Sequence, residues 1–177
     1  MTDSEQMLIV IAGLPGAGKS TLAGDLAQAL GCAVLGVDEA EAAMWRAGVG
    51  APTDTHHAAY LVVGALAAEQ LAMGHDVIVD AVNGPEQARA QWRELANQMG
   101  VHLRFIVVEC SDDGIYRDRV ERRPRIDGFP EPTWKGVLRR RAEFPPWTDA
   151  RLTIDSVNSR EANTDAALEY LKKERSP

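Results

Sequence analysis

The sequence has no apolar run approaching the roughly 20 residues that a membrane helix needs,. Its opening residues, Met1 to Gln6, are polar and acidic, without the basic start and apolar core of a secretory signal, so the expected location is the cytoplasm,. Two cysteines, Cys32 and Cys110, are too few and too far apart for a metal cluster or a disulfide framework,. Both are expected as small core or strand-end residues. A basic balance is missing as well: 19 Lys and Arg stand against 26 Asp and Glu, a formal net charge of −7. Phosphate backbones call for a broad basic face, so nucleic acid is not an expected partner. There is no internal repeat, low-complexity tract or interdomain linker, and no Asn-Lys-x-Asp run of the kind that selects guanine in GTPases.

What is present fits one globular domain spanning 1–177, with 45% apolar and 25% charged residues,. Short apolar runs read as strands buried on both faces: Met7 to Ala12, Ala33 to Val37, Val77 to Val79, Leu103 to Val108 and Leu152 to Ile154. Helical periods lie between them. Leu22, Leu26 and Leu30 recur before a Gly31 stop. Leu61, Ala65, Ala68 and Leu71 form a second stripe before Gly74. Pro85 opens a third helix, with Ala88, Trp92, Leu95 and Met99 on one face before Gly100. Ser159 caps a last helix through Lys173, with Leu168 and Leu171 inward. Alternating strands and helices imply right-handed crossovers and a mainly parallel sheet, with ligands at the C-terminal strand ends.

The strand Leu8 to Ala12 runs into Gly13-Leu14-Pro15-Gly16-Ala17-Gly18-Lys19-Ser20, which fits the Walker A pattern, and a helix opens near Lys19. Gly13, Gly16 and Gly18 let backbone N–H groups converge on phosphate oxygens where a Cβ would obstruct them. The helix N-terminus adds the positive end of its dipole. Lys19 places a charge beside the β- and γ-phosphates, and the Ser20 hydroxyl can ligate Mg²⁺. Val77-Ile78-Val79-Asp80 has the form of a Walker B strand, so Asp80 is a second candidate for Mg²⁺, or else the start of the loop Ala81 to Gly84. Asp38 ends the second strand. A phosphoryl transfer to an alcohol needs a carboxylate to accept the hydroxyl proton, and Asp38 lies at the correct sheet edge. It is equally placed to N-cap a helix from Glu39 to Ala47.

These motifs in their order resemble the small P-loop kinases grouped with chloramphenicol phosphotransferase, polynucleotide kinase, gluconate kinase and the zeta-type toxins. The likeness is closest to a branch described only as ATP-binding or AAA-type. It is carried by residues 13–21, Gly36-Val37-Asp38, residues 77–81 and Arg119-x3-Arg123. The resemblance implies a three-layer α/β P-loop NTPase fold, with a five-stranded mainly parallel sheet, helices on both faces and an arginine-rich lid at about residues 112–132. It implies ATP and Mg²⁺ as cofactors, held by Gly13, Leu14, Pro15, Gly16, Ala17, Gly18, Lys19, Ser20 and Thr21, with Ser20 and Asp80 at the metal. It implies Asp38 as base, assisted by Lys19, Arg119 and Arg123. The activity implied is transfer of the γ-phosphoryl of ATP to a hydroxyl of a small metabolite or antibiotic. A polynucleotide 5′-hydroxyl or nucleotide-sugar kinase and a non-catalytic nucleotide switch are the other readings. Polynucleotide kinases of this type carry Arg three residues after the base, where this chain has Glu41, which weighs against a polynucleotide acceptor.

The lid expectation has its own basis in the residues. Ser111-Asp112-Asp113 reads as a helix N-terminus. Arg119 and Arg123, four apart, share one face of the helix that follows. Pro124 and Gly128-Phe129-Pro130 would return the chain to a helix with Trp134 and Val137. The plain alternative is a solvated basic helix. His56 and His57, as neighbours, diverge too far on a helix to share a metal. Tyr60 and Trp45 line a substrate pocket or belong to the core, Asn83 touches substrate or shapes a turn, and Trp147 stacks on a base or simply packs.

Overall fold

The computed structural model describes residues 6–50, 55–123 and 132–173. The described strands are β1 (Met7–Ala12), β2 (Ala33–Gly36), β3 (Val77–Asp80), β4 (His102–Glu109) and β5 (Arg151–Asp155). They form one sheet in the order β2-β3-β1-β4-β5, and each pairing is parallel. The mainly parallel sheet read from the sequence is therefore parallel throughout. The described helices are α1 (Lys19–Leu30), α2 (Val37–Arg46), α3 (Thr55–Ala72), α4 (Glu86–Met99), α5 (Asp113–Arg122), α6 (Trp134–Ala142) and α7 (Arg160–Lys173). None is long and apolar enough to cross a membrane.

Two-residue periodicity inside an all-apolar strand supplies two cores. Met7, Ile9 and Ile11 of β1 join Ile78, Ile106 and Ile154 against Leu22 and Leu26 of α1 and Ala167 and Leu171 of α7. Leu8 and Val10 join Val77, Val79 and Phe105 against Tyr60, Val63 and Leu71 of α3 and Trp92 and Ala96 of α4. The result is the three-layer architecture, with the central strand β1 buried along its whole length. Glycine ends the helices where the sequence placed the stops: Gly31 and Gly100 are left-handed caps of α1 and α4. Ser159 Oγ accepts from Ala162 N at 3.2 Å at the start of α7.

Two local expectations need correction. In α3 the inward face is Thr55, Ala59, Tyr60, Val63, Ala67 and Leu71. The stripe Leu61, Ala65, Ala68 and Leu71 is not that face: Leu61 and Ala65 are exposed. This helix is apolar nearly all round, so spacing alone does not choose a side. The second correction concerns Asp38. β2 stops at Gly36 and α2 begins at Val37 with Gly36 as the capping position and no side-chain cap. Asp38 thus lies within the first helical turn and its carboxylate is not spent on capping.

Candidate active site

The turn after β1 builds the cradle. Gly13, Gly16 and Gly18 all take positive φ, at 147°, 80° and 106°, values that an L side chain resists. Space demands glycine too. A Cβ on Gly16 would lie 2.7 Å from Val120 Cγ2, and one on Gly18 would lie 3.1 Å from Ser156 Cβ. Gly16, Gly18, Lys19, Ser20 and Thr21 line a cavity of about 750 Å³ at the C-terminal ends of the strands. Gly13, Leu14, Pro15 and Ala17 are buried in the loop behind it, with Gly13 N donating to Val82 O at 3.2 Å and Ala17 N to Leu14 O at 3.1 Å. Lys19 is 7% exposed. Its Nζ makes one long bond, 3.4 Å to Leu14 O, which leaves the ammonium available to a stronger acceptor.

Across the cavity floor, Ser20 Oγ donates to Asp80 Oδ2 at 2.6 Å. The other oxygen, Asp80 Oδ1, is buried and has no hydrogen-bond partner. An orphaned carboxylate oxygen beside a serine hydroxyl at a phosphate cradle is a donor set that suits a hard divalent cation such as Mg²⁺. Among the described residues there is no cluster of three or more His, Cys, Asp or Glu arranged as a metal site. Mg²⁺ commonly keeps waters and substrate phosphates in its shell and needs few protein ligands.

The β2–β3 end of the cavity is acidic. Asp38 and Glu39, from the first turn of α2, line it with Asp80. Partial desolvation at the cavity wall, and then the nearby Asp80 and Asp38 carboxylates, raise the Glu39 carboxyl from its ordinary value even though the residue is exposed. Glu39 was not singled out in the sequence, because one more acid after Asp38 reads as ordinary helix N-terminal preference. Below them, Asn83 takes φ 51° with its polar groups engaged. Its Nδ2 donates to Ile11 O at 3.0 Å, its Oδ1 accepts from Trp92 Nε1 at 2.7 Å, and its N donates to Tyr60 Oη at 3.2 Å. Asn83 therefore shapes the turn after Asp80. Tyr60 is core, and burial pushes its hydroxyl up to about 12, so it stays neutral. Trp45 donates to Thr55 Oγ1 at 2.6 Å, Thr55 Oγ1 donates to Glu41 Oε1 at 2.9 Å, and His56 Nδ1 lies 3.0 Å from Glu41 Oε2.

The opposite end is basic. Arg119, Arg122, Arg123 and Arg160 line it together with Ser156, Asn158 and Asn163. Arg123 lies at the C-cap, just past α5 rather than within it, yet both members of the Arg119/Arg123 pair reach the cavity. Arg119 does not hang free: it donates to Ser156 Oγ at 2.7 Å and to Ser156 O at 3.0 Å. Arg122 pairs with Asp118 at 2.7 Å, and Arg160 pairs with Asp25. The proposed lid return through Pro124 and Gly128-Phe129-Pro130, with Arg125, lies outside the described residues. Trp147 does not line the cavity: it packs edge-on against Phe105 at 5.4 Å with Arg89 4.5 Å over its ring.

No curated protein sequence is similar to the chain. Several solved structures share its fold. A gluconokinase from Sinorhizobium meliloti 1021 superposes with a TM-score of 0.71 at 17% identity, covering 97% of this chain and 94% of its own. The Mycobacterium tuberculosis APS kinase CysC, in complex with AMPPNP and APS, gives 0.68 at 18% identity, covering 95% and 98%. Chaetomium thermophilum Kti12, in complex with ADP-AlF3, gives 0.71 at 19% identity, covering 96% and 100%. At these identities the likeness speaks for the fold. Residues 8–144 match the model of an AAA domain, and they carry the glycine loop, Asp38, Asp80 and α5. The chain belongs to the AAA domain family.

Proposed function

We propose that this protein is an ATP-dependent phosphotransferase that moves the γ-phosphoryl of ATP to a hydroxyl of a small molecule. The observation that carries the reading is the Ser20–Asp80 contact with Asp80 Oδ1 left unpartnered, in a cavity that Lys19 and Asp38 also line. The cradle residues 13–21 bind the triphosphate, backbone N–H groups and the α1 dipole meeting its charge. Lys19 orients the β- and γ-phosphates. Ser20 and Asp80 would hold Mg²⁺, which supplies charge neutralisation of the phosphates when bound. Asp38, free of capping duty, takes the hydroxyl proton as the acceptor oxygen approaches phosphorus. Arg119 and Arg123 flank the phosphates from the basic end and offset charge in transfer.

Catalysis is favoured over a nucleotide switch by Asp38, which a protein that only sensed nucleotide would have no need to present uncapped. The test is ADP release from ATP and Mg²⁺ across a library of hydroxyl compounds, with the phosphorylated product identified by mass. ADP formed in step with a phosphorylated acceptor is the expected result. Tight ATP binding with no acceptor-dependent turnover would replace the kinase reading with the switch.

A further inference from the structure

We propose that the acceptor is an amine-bearing alcohol, its ammonium group held by Glu39 while Asp38 holds its hydroxyl. The inference rests on the kinase reading above and adds the substrate class. Its basis is the polarity of the cavity. The lining arginines come from α5, its C-cap and α7, on the β4–β5 side, while Asp38, Glu39 and Asp80 come from the β2–β3 side. The remaining carboxylates on the wall, Asp25 and Asp118, are already paired with Arg160 and Arg122. Lys19 is the lining cation at the acid end among the described residues, and the phosphates claim it.

The acid end is also unsatisfied from within. Asp80 is 93% buried by its 7% exposure, lines the cavity, and leaves Oδ1 without a partner. Mg²⁺ and the triphosphate account for Asp80, and the reacting hydroxyl accounts for Asp38. Glu39 then remains as a carboxylate whose nearby cation, Lys19, is committed to the phosphates. Its position is built rather than incidental. The residue is exposed on the cavity wall, and its Oε2 occupies the space that a Cβ on Gly36 would need. Glu41, two residues further along α2, is buried and held by Thr55 and His56, away from the cavity lining. Where a cation would be needed to accept a phosphate, sulfate or carboxylate on the acceptor, the first turn of α2 lines the cavity with acids, Asp38 and Glu39. An ammonium group meets the opposite environment, a charge-assisted hydrogen bond to Glu39.

The transfer balances without further reactants. The acceptor oxygen forms a bond to Pγ, the bond from Pγ to the β,γ-bridging oxygen breaks, and its electron pair leaves with ADP. The hydroxyl proton passes to the Asp38 carboxylate and then to solvent. The ammonium group is unchanged.

The experiment measures kcat/KM for ATP-dependent phosphorylation with matched acceptors: amino alcohols and amino sugars, their N-acetyl forms, and their carboxylated or phosphorylated counterparts. The amines should exceed the N-acetyl forms at least tenfold, and the anions should be the poorest. Glu39→Gln should reduce the amine advantage to about twofold or less, mainly through KM. Gly36→Ala tests the same point without altering a charge. The backbone there is extended, at φ −93°, so alanine fits the chain but displaces the Glu39 carboxylate, and the amine advantage should fall likewise. Turnover confined to neutral or anionic acceptors, or an amine advantage that both variants leave intact, overturns this inference while the kinase stands. ATP binding with no turnover in any class overturns the kinase and this inference together.

Discussion

The phosphate cradle and the α5–α6 arm both border the cavity, but they are held by different means. The cradle is an extension of the core. Its strand is fully buried, Leu22 and Leu26 root α1 in the sheet, and the turn is closed by backbone bonds. The arm has few buried anchors, Tyr116 and Val120 on α5 and Val137 on α6, and is tied by side chains. Tyr116 and Trp134 meet edge-on at 5.5 Å. Arg141 lies 5.1 Å and 5.6 Å over the two rings and pairs with Asp113 at 2.7 Å. Arg119 fastens α5 to Ser156. A cradle that inherits its rigidity from the sheet meets phosphate in its final shape, whereas an arm fixed by guanidinium contacts can exchange one set of partners for another at small cost.

The sharpest division expected is between chemistry and binding. Asp38→Asn should lower kcat by about 10²- to 10⁴-fold and leave ATP affinity unchanged, as turnover and calorimetric titration will report. An equal fall in ATP affinity would mean that the acid end is part of the nucleotide site and that the division is false. Stability should separate core from arm almost as widely. Trp92→Ala removes a fully buried ring and orphans Asn83 Oδ1, so it should cost about 3–5 kcal/mol. Arg141→Ala, which loses cation–π contacts at a solvated site, should cost about 1 kcal/mol. Denaturant unfolding compares them, and similar losses would show that the arm is as much core as the sheet.

Affinity offers a finer cut. Lys19→Ala should weaken ATP binding about tenfold to a hundredfold with no change in melting temperature. Arg119→Ala should weaken it less and speed amide exchange in α5 and α6, leaving α1 as it was. Exchange in α5 that ignored the loss of Arg119 would mean that the hydrophobic anchors alone hold the arm. The smallest effect is one of pH. The Arg160 guanidinium, hydrogen-bonded to Asp25, holds that carboxyl below its ordinary value. A lowered folded-state value stabilises above the ordinary carboxylate range and is lost as pH falls through the lowered one. Asp25→Asn should therefore make acid unfolding less steep on its acidic limb and change the neutral melting temperature little, because the Arg160 partner is exposed to solvent,.

The fold was legible because β1, β3 and β4 are apolar runs too short for helices and separated by capped helical periods. The conformation of the glycine loop was legible because a turn with positive φ at Gly13, Gly16 and Gly18 leaves little freedom in residue type,. What escaped the sequence depends on neighbours distant in the chain. The Arg119–Ser156 tie spans 37 positions. The role of Asn83 depends on Trp92, Tyr60 and Ile11 converging on it. Glu39 acquires its meaning only when β2 and β3 pair and bring Asp80 beside it. In α3 the failure was of another kind: with apolar residues around most of its circumference, the pattern held no information about which side the sheet would claim.

The glycines of the phosphate loop each yield space to a different piece of the protein: Gly13 to the Val108 carbonyl, Gly16 to Val120 on α5, and Gly18 to Ser156 before α7. These contacts exist without any nucleotide. A relative that bound no nucleotide at all would still be obliged to keep all three, or to rebuild β4, α5 and the loop after β5 around the new side chains. Retention of this glycine pattern in relatives is therefore a record of assembly as much as of enzymology, and it would persist in a lineage whose active site had gone silent. Lys19, Ser20 and Asp80 bear no such double duty. If the proposed kinase activity holds, drift at those three positions would mark a relative that had lost it.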